Sequence, residues 1–249
     1  MKPHLSRYWL NANPDDPDAF RAQVQVVCAC YQAAPALSRD GAHTVSVDEM
    51  TGIQALERIA PTRPMRPGRV ERREFEYTRH GTQCLIGNFD VVTGEVIAPT
   101  VQATRTEEDF AGHIKRTVAT DPEATWVFVC DNLTTHCSES LVRYVAEACD
   151  LKTDLGKKGK SGVLKSVETR KDFLTESRHR IRFVYVPRHT SWLNQIEIWF
   201  GILVRRVIKR GNFTSTADLR DKILAFIDYF NRTMAKPFKW TSTGRPLNV

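Results

Sequence analysis

Trp126-Val127-Phe128-Val129-Cys130-Asp131-Asn132-Leu133-Thr134-Thr135-His136 decides how this chain folds. Five apolar residues rich in β-formers, too few for an ordinary helix, read as a buried strand. The run stops at an acid followed by polar groups, and in open sheets the loops at strand ends are where sites gather. Upstream, Thr106-Glu107-Glu108-Asp109 has the form of a capping box. Phe110, Ile114 and Val118 mark the apolar face of the helix it opens. Downstream, Ser138 to Ala148 carries Leu141, Tyr144 and Val145 at helical spacing, and Ile181 to Val186 returns to strand character.

The flanks extend this alternation. Thr44-Val45-Ser46-Val47 is a second short apolar run that ends in an acid, Asp48. Phe75–Thr78, Gln83–Val91 and Val96–Ala98, broken at His80-Gly81 and Thr93-Gly94, suit an antiparallel meander. Residues 61–73 place Pro61, Pro64 and Pro67 among arginines, so an exposed, extended basic loop is expected there. One helix is expected over roughly 18–33 and a last one over roughly 216–234. A long helix is expected from Ser191 to Arg210, with Leu193, Ile196, Phe200, Leu203 and Val207 inward and Gly211 as its C-cap. This order calls for an α/β fold, a mixed sheet flanked by helices, and it is the order of ribonuclease H-like folds. The expected division is a linker and lead-in helix over 1–40, then one domain over 41–249 with a basic insertion at about 150–180.

Three acids carry the chemistry of the reading. An Asp at the end of a strand often only caps a turn. Glu197, near a helix start, is favoured by the helix dipole in any case. Together, however, two carboxylates at strand ends and one on a helix can converge at a sheet edge. Such a set suits hard cations, and Mg²⁺ is usually held by few carboxylates plus substrate phosphates. In a basic protein this points to metal-assisted cutting and joining of nucleic-acid phosphodiesters. His136 and His189 are placed to touch phosphate or an attacking water, or to play a structural part. Asn194 shares the face of Glu197 with Gly201, leaving a gap in the apolar stripe. Trp192 could stack on a base, although a tryptophan beside a helix start is more often core.

Val47-Asp48-Glu49, Cys130-Asp131-Asn132 with His136, and Pro187-Arg188-His189-Thr190-Ser191-Trp192-Leu193-Asn194-Gln195-Ile196-Glu197 resemble the three acidic motifs of DDE transposases. The likeness is greatest to the bacterial insertion-sequence family six-thirty, kin of mariner elements, and extends over nearly the whole chain to Lys209-Arg210-Gly211-Asn212-Phe213. The resemblance implies that Asp48, Asp131 and Glu197 are a metal-binding catalytic triad using Mg²⁺, with Mn²⁺ as a substitute. It also implies double-stranded DNA as partner and a homodimer on paired transposon ends. Residues 1–10 resemble the linker that follows the DNA-binding region of that family. Two departures stand out. Between Asp131 and Glu197 lie 65 residues, about twice the spacing of compact members, whereas Glu168, after 36, fits the shorter spacing. Glu168 lacks the motif context, so Glu197 is preferred. The first 40 residues also leave no room for helix-turn-helix modules, so a catalytic domain alone is expected. The alternatives are a ribonuclease H-like nuclease that cuts without joining and a catalytically idle DNA-binding remnant.

Bulk composition agrees with an anionic partner. Lys and Arg number 36 against 29 Asp and Glu, a net charge of +7 with a pI near 9.2. Residues 150–180 hold nine basic and five acidic side chains, and Lys157, Lys158 and Lys160 lie in a glycine-rich run expected to be a flexible flap on DNA. The six cysteines form no CxxC pair, and a zinc module on Cys28 and Cys30 would have poor ligand geometry. No stretch approaches the length of a membrane helix. A cytoplasmic, nucleoid-associated bacterial protein is expected.

Overall fold

A computed structural model describes residues 14–242. The sheet has five strands in the order β3-β2-β1-β4-β5. These are β1 (Ala42–Arg58), β2 (Tyr77–Asp90), β3 (Thr100–Gln102), β4 (Thr125–Cys130) and β5 (Ile181–Tyr185). β1 pairs antiparallel with β2 and β2 with β3, while β1–β4 and β4–β5 are parallel. β4 is buried along almost its whole length, as a central parallel strand covered on both faces must be.

Helices cover both faces. On one, α1 (Pro17–Arg39), α5 (Ile196–Leu203) and α6 (Thr216–Thr233) enclose a core that includes Tyr31, Phe89, Trp199, Phe200 and Phe230. On the other, α2 (Glu107–Val118), α3 (Glu139–Ala148) and α4 (Val167–Thr175) close over Phe110, Phe128, Leu141, Leu174 and Phe183. The helix starts carry chemical reasons. Asp16 accepts hydrogen bonds from the N–H groups of Asp18 and Ala19 ahead of Pro17, and Thr106 with Asp109 makes the capping box of α2. The expected ribonuclease H-like α/β architecture, a mixed sheet flanked by helices, is what the chain adopts.

Several elements differ from expectation. The helix foreseen over 18–33 continues through Pro35 to Arg39, and it contributes Val27, Tyr31 and Ala34 to the first core. Linker residues 1–10 lie outside the described residues. His80-Gly81 is not a turn, because β2 runs straight through it in pairing with an equally prolonged β1. The register slips between Met50 and Ile53 and again between Gln54 and Leu56, and these bulges twist the ribbon without ending it. Residues 61–73 are exposed as expected but close into a small hairpin, with bridges Arg63–Arg72 and Arg66–Arg69. The expected strand at Val96–Ala98 is a single bridge from Val96 to Phe89, and the third strand starts at Thr100.

The insertion at 150–180 is not a floppy polar flap. Leu164 and Leu174 are buried, and Arg170 is drawn in to donate to the carbonyl of Cys137 at 2.6 Å. The Lys157–Ser161 turn is held by backbone hydrogen bonds, with Gly156, Gly159 and Gly162 all at positive φ. The long helix foreseen from Ser191 to Arg210 breaks into a 3₁₀ turn at Ser191–Leu193, α5, and a π-helical turn at Val204–Ile208. Gly211 is not a left-handed cap. A Cβ there would sit 2.1 Å from the Phe213 ring, so the glycine serves close packing.

Candidate active site

Ser46 of β1 faces Val129 of β4, so two residues further along each strand reaches the position of its acid, Asp48 or Asp131. Glu197 is presented from the first turn of α5. Asp48 and Asp131 act on each other electrostatically, and each also couples to Glu197. Burial first and the negative charge of Asp131 second push the Asp48 carboxyl up to about 7, against the pull of the Glu49 N–H and His136. Partial burial and Asp131 likewise raise Glu197. Burial also works against ionised Asp131, yet His136, the Leu133 N–H and Arg105 outweigh it and hold that carboxyl below its ordinary range.

Each aspartate is tied down by its neighbours. Asp48 Oδ1 accepts from the Glu49 N–H at 2.7 Å, and Oδ2 accepts from Asn194 Nδ2 at 2.9 Å. Asp131 Oδ1 accepts from the Leu133 N–H at 2.9 Å and lies 2.7 Å from His136 Nδ1. The Asn194 side chain is fully buried, so it does not reach DNA as expected. It bonds Asp48 and the Val47 carbonyl through Nδ2 and accepts from the Ser46 hydroxyl through Oδ1. To do so Asn194 leaves helical geometry, with ψ at 105°, which is why the long helix breaks there. Ser46 Oγ in turn accepts from the Ile196 N–H at 2.9 Å and so caps α5, whose preceding residue, Gln195, offers no side-chain cap.

His136 is also fully buried, which rules out the expected phosphate contact. Its ring lies 4.1 Å from that of Phe110, and its Nε2 lies 3.0 Å from Glu49 Oε2. His189 and Trp192 are exposed, Trp192 by 55%, so the tryptophan is not core. His189 has a φ of 61°, in the left-handed region, within a loop pinned on either side by buried Pro187 and Thr190. Lys157, Lys158 and Lys160 are exposed, but Lys158 Nζ lies 3.4 Å from Glu107 and 3.9 Å from Glu139, at the starts of α2 and α3. Glu168 is exposed in the first turn of α4 and takes no part in the contacts around the aspartates.

Four residues of the site were not foreseen. Ser46 stands two before Asp48 and so shares its strand face, a signal the period of a strand supplies. Glu49 is next to Asp48 and points to the opposite face. Lys171, whose Nζ donates to the Asn132 side chain, and Arg105, whose charge acts on Asp131, come from the insertion and from the loop before α2. Neither had any local signal.

The donor types suit a hard cation. The charge of Asp131 disfavours ionisation of Asp48 and of Glu197, and neither of those two has a Lys or Arg partner among the described residues. Among the described residues no three His, Cys, Asp or Glu side chains stand close enough to enclose an ion, so the three acids do not form a closed cage. No helix of the described residues is long and apolar enough to cross a membrane.

A family model described as DDE superfamily endonuclease matches residues 43–220. The Mos1 transposase catalytic domain solved with raltegravir and manganese shares the fold, with a TM-score of 0.54 and 10% identity over 88% of this chain and 84% of that one. The same domain with raltegravir and magnesium gives 0.53 and 10% over 93% and 89%. A further structure of the Mos1 mariner transposase catalytic domain gives 0.52 and 9% over 88% and 85%. At these identities the likeness is one of fold. The sequence matches no curated protein.

Proposed function

The chain belongs to the DDE superfamily of endonucleases, and on that premise we propose that it is the catalytic domain of a mariner-related DNA transposase. It would cut phosphodiesters at transposon ends and transfer the freed strands to target DNA. The observation that supports the reading is the electrostatic coupling of Asp48, Asp131 and Glu197, carried by two parallel strands and a helix of a basic molecule. These three residues would hold divalent cations, Mg²⁺ by preference with Mn²⁺ as a substitute. Bound there, a cation supplies a Lewis acid for the phosphoryl oxygens and eases deprotonation of the attacking hydroxyl.

The rest of the work falls to the protein. Asn194 holds the Asp48 carboxylate in place, and Ser46 couples that position to the helix bearing Glu197. Arg105, whose charge acts on Asp131, and Arg188, His189 and Trp192, in the loop between β5 and α5, are exposed; there the polar side chains would meet phosphates and the indole would stack on a base. Lys157, Lys158 and Lys160 offer further phosphate contacts. No side chain is required as a covalent nucleophile. A homodimer on paired ends would bring two such edges to two DNA ends.

Plasmid nicking in Mg²⁺ or Mn²⁺, with Asp131→Asn as control, tests the reading, and joining of 3′ ends to a target duplex tests its second half. Nicking without joining would mark a nuclease. Salt-sensitive binding without metal-dependent nicking would mark an idle DNA-binding protein.

A further inference from the structure

Glu49 and His136 are chemically expensive to bury, and no DNA or solvent reaches them. His136 is fully buried and the Glu49 side chain is only 2% exposed. The two face each other at 3.0 Å through Nε2 and Oε2, and the other ring nitrogen lies 2.7 Å from Asp131 Oδ1. Glu49 Oε1 has no hydrogen-bond partner, so the imidazole is the one group this carboxylate serves among the described residues. A buried ionic pair adds little net stability over apolar residues of the same volume. Its presence beside the sheet edge calls for another reason.

We propose that Glu49 and His136 are positioning residues for Asp131, a buried carboxylate–imidazole pair that holds Oδ1 and so fixes Oδ2 as the oxygen offered to a cation. The inference rests on the reading of Asp131 as a metal ligand. Oδ1 is already engaged by the Leu133 N–H and by His136, whereas Oδ2 makes no hydrogen bond among the described residues. The imidazole cannot turn away. The Phe110 ring lies against it from α2, and the Tyr185 hydroxyl of β5 donates to its carbonyl at 2.8 Å. Arg170 of α4 holds the carbonyl of the next residue, Cys137, at 2.6 Å. Strand alternation makes the division of labour possible. Asp48 and Glu49 are consecutive in β1 and point to opposite faces, so one meets Asn194 under α5 and the other meets His136 under α2. Asp48 does not close its strand as expected, since β1 runs on to Arg58, and this mid-strand pair thus delivers one ligand directly and orients a second through a histidine.

The two imidazole nitrogens can be separated by substitution. An asparagine amide at 136 can replace Nδ1 towards Asp131, whereas a glutamine amide reaches towards Glu49 and leaves Asp131 unheld. Mn²⁺ binding without DNA is read by electron paramagnetic resonance or calorimetry, and thermal midpoints are taken in parallel. His136→Gln should weaken Mn²⁺ binding by about tenfold or more, the usual effect of removing a hydrogen bond that orients a metal ligand. His136→Asn, which keeps the bond to Asp131 and gives up only the Glu49 contact, should weaken binding no more than Glu49→Gln does. The isosteric Glu49→Gln, which keeps the packing, should weaken Mn²⁺ binding several-fold with little change in thermal midpoint. Equal weakening in the Asn and Gln variants, or parental binding in His136→Gln or in Glu49→Gln, would overturn the proposal. If Asp131→Asn itself bound Mn²⁺ like the parent, the reading of Asp131 as a ligand would fall first.

Discussion

Glu197 and Glu168 make the sharpest contrast at the scale of single residues. Spacing alone favours Glu168, yet it stands exposed on α4, whereas Glu197 couples electrostatically to Asp131 from the start of α5. Glu197→Gln should therefore lower metal-dependent nicking at least about a hundredfold, the loss of several kcal/mol of transition-state stabilisation. Glu168→Gln should nick almost as the parent does, and the reverse result would move the third ligand to α4. A second prediction concerns His113. Burial, then Arg116 and His136, push its pKa down from 6.5 to about 3, and its Nδ1 meets the Thr100 hydroxyl at 2.8 Å. The depressed value means stability is complete above pH 6.5 and is lost as the pH falls towards 3, because only the unfolded chain takes up the proton in that window. Urea titrations should show the parent losing about 2 kcal/mol more than His113→Leu between pH 8 and pH 5. Equal changes in the two proteins would mean that the imidazole is not held neutral. The acids of the site were legible because each closes an apolar run or lies in a long motif. Glu49 and His136 were visible in the same motifs, but nothing in the sequence said that they face each other beneath the surface.

Between elements, the contact that matters most joins β1 to the start of α5. Ser46 Oγ donates to Asn194, accepts from the Ile196 N–H, and so sets where Glu197 begins its helix. Ser46→Ala removes both partners at once from a site without solvent. It should cost about 1–3 kcal/mol in urea unfolding and should slow nicking more than a loss of folded protein explains. Unchanged nicking in the folded variant would show that α5 is placed by other contacts. Gly87, opposite Asp48 in the ladder, supports the same junction, since a Cβ there would come within 3.2 Å of Phe200 and 3.3 Å of Ile196. Elements governed by local chemistry were legible, among them α2 with its capping box, α3, α6 and β4. Those that depend on a distant partner were not. β2 passes through His80-Gly81 because β1 runs beside it, and the helix from Ser191 breaks because Asn194 turns to meet a residue 146 positions earlier in the chain.

For the molecule as a whole, the prolonged β1–β2 ribbon decides where the basic surface lies. Beyond Asp48 the ribbon carries the chain about 30 Å, at roughly 3.3 Å per residue, to the hairpin bearing Arg63, Arg66, Arg69, Arg72 and Arg73. That reach is close to one turn of duplex DNA, about 34 Å, so on the proposed reading a double strand seated at the carboxylates would meet the hairpin with its next turn. Replacing Arg63, Arg66, Arg69 and Arg72 by glutamine should flatten the dependence of log affinity on log salt by about 0.9 for each phosphate that is no longer neutralised. The same change at Lys158, already paired with Glu107 and Glu139, should do less. An unchanged slope in the arginine variant would place the DNA elsewhere. The parallel pairing of β1 with β4, and of β4 with β5, has one more consequence, for the order in which the protein is made. Asp48 leaves the ribosome early, but the strand that sets it beside Asp131 and the helix that brings Glu197 follow much later. No shorter nascent chain contains the full set of acids. Translation that stops before α5 therefore yields fragments that lack Glu197.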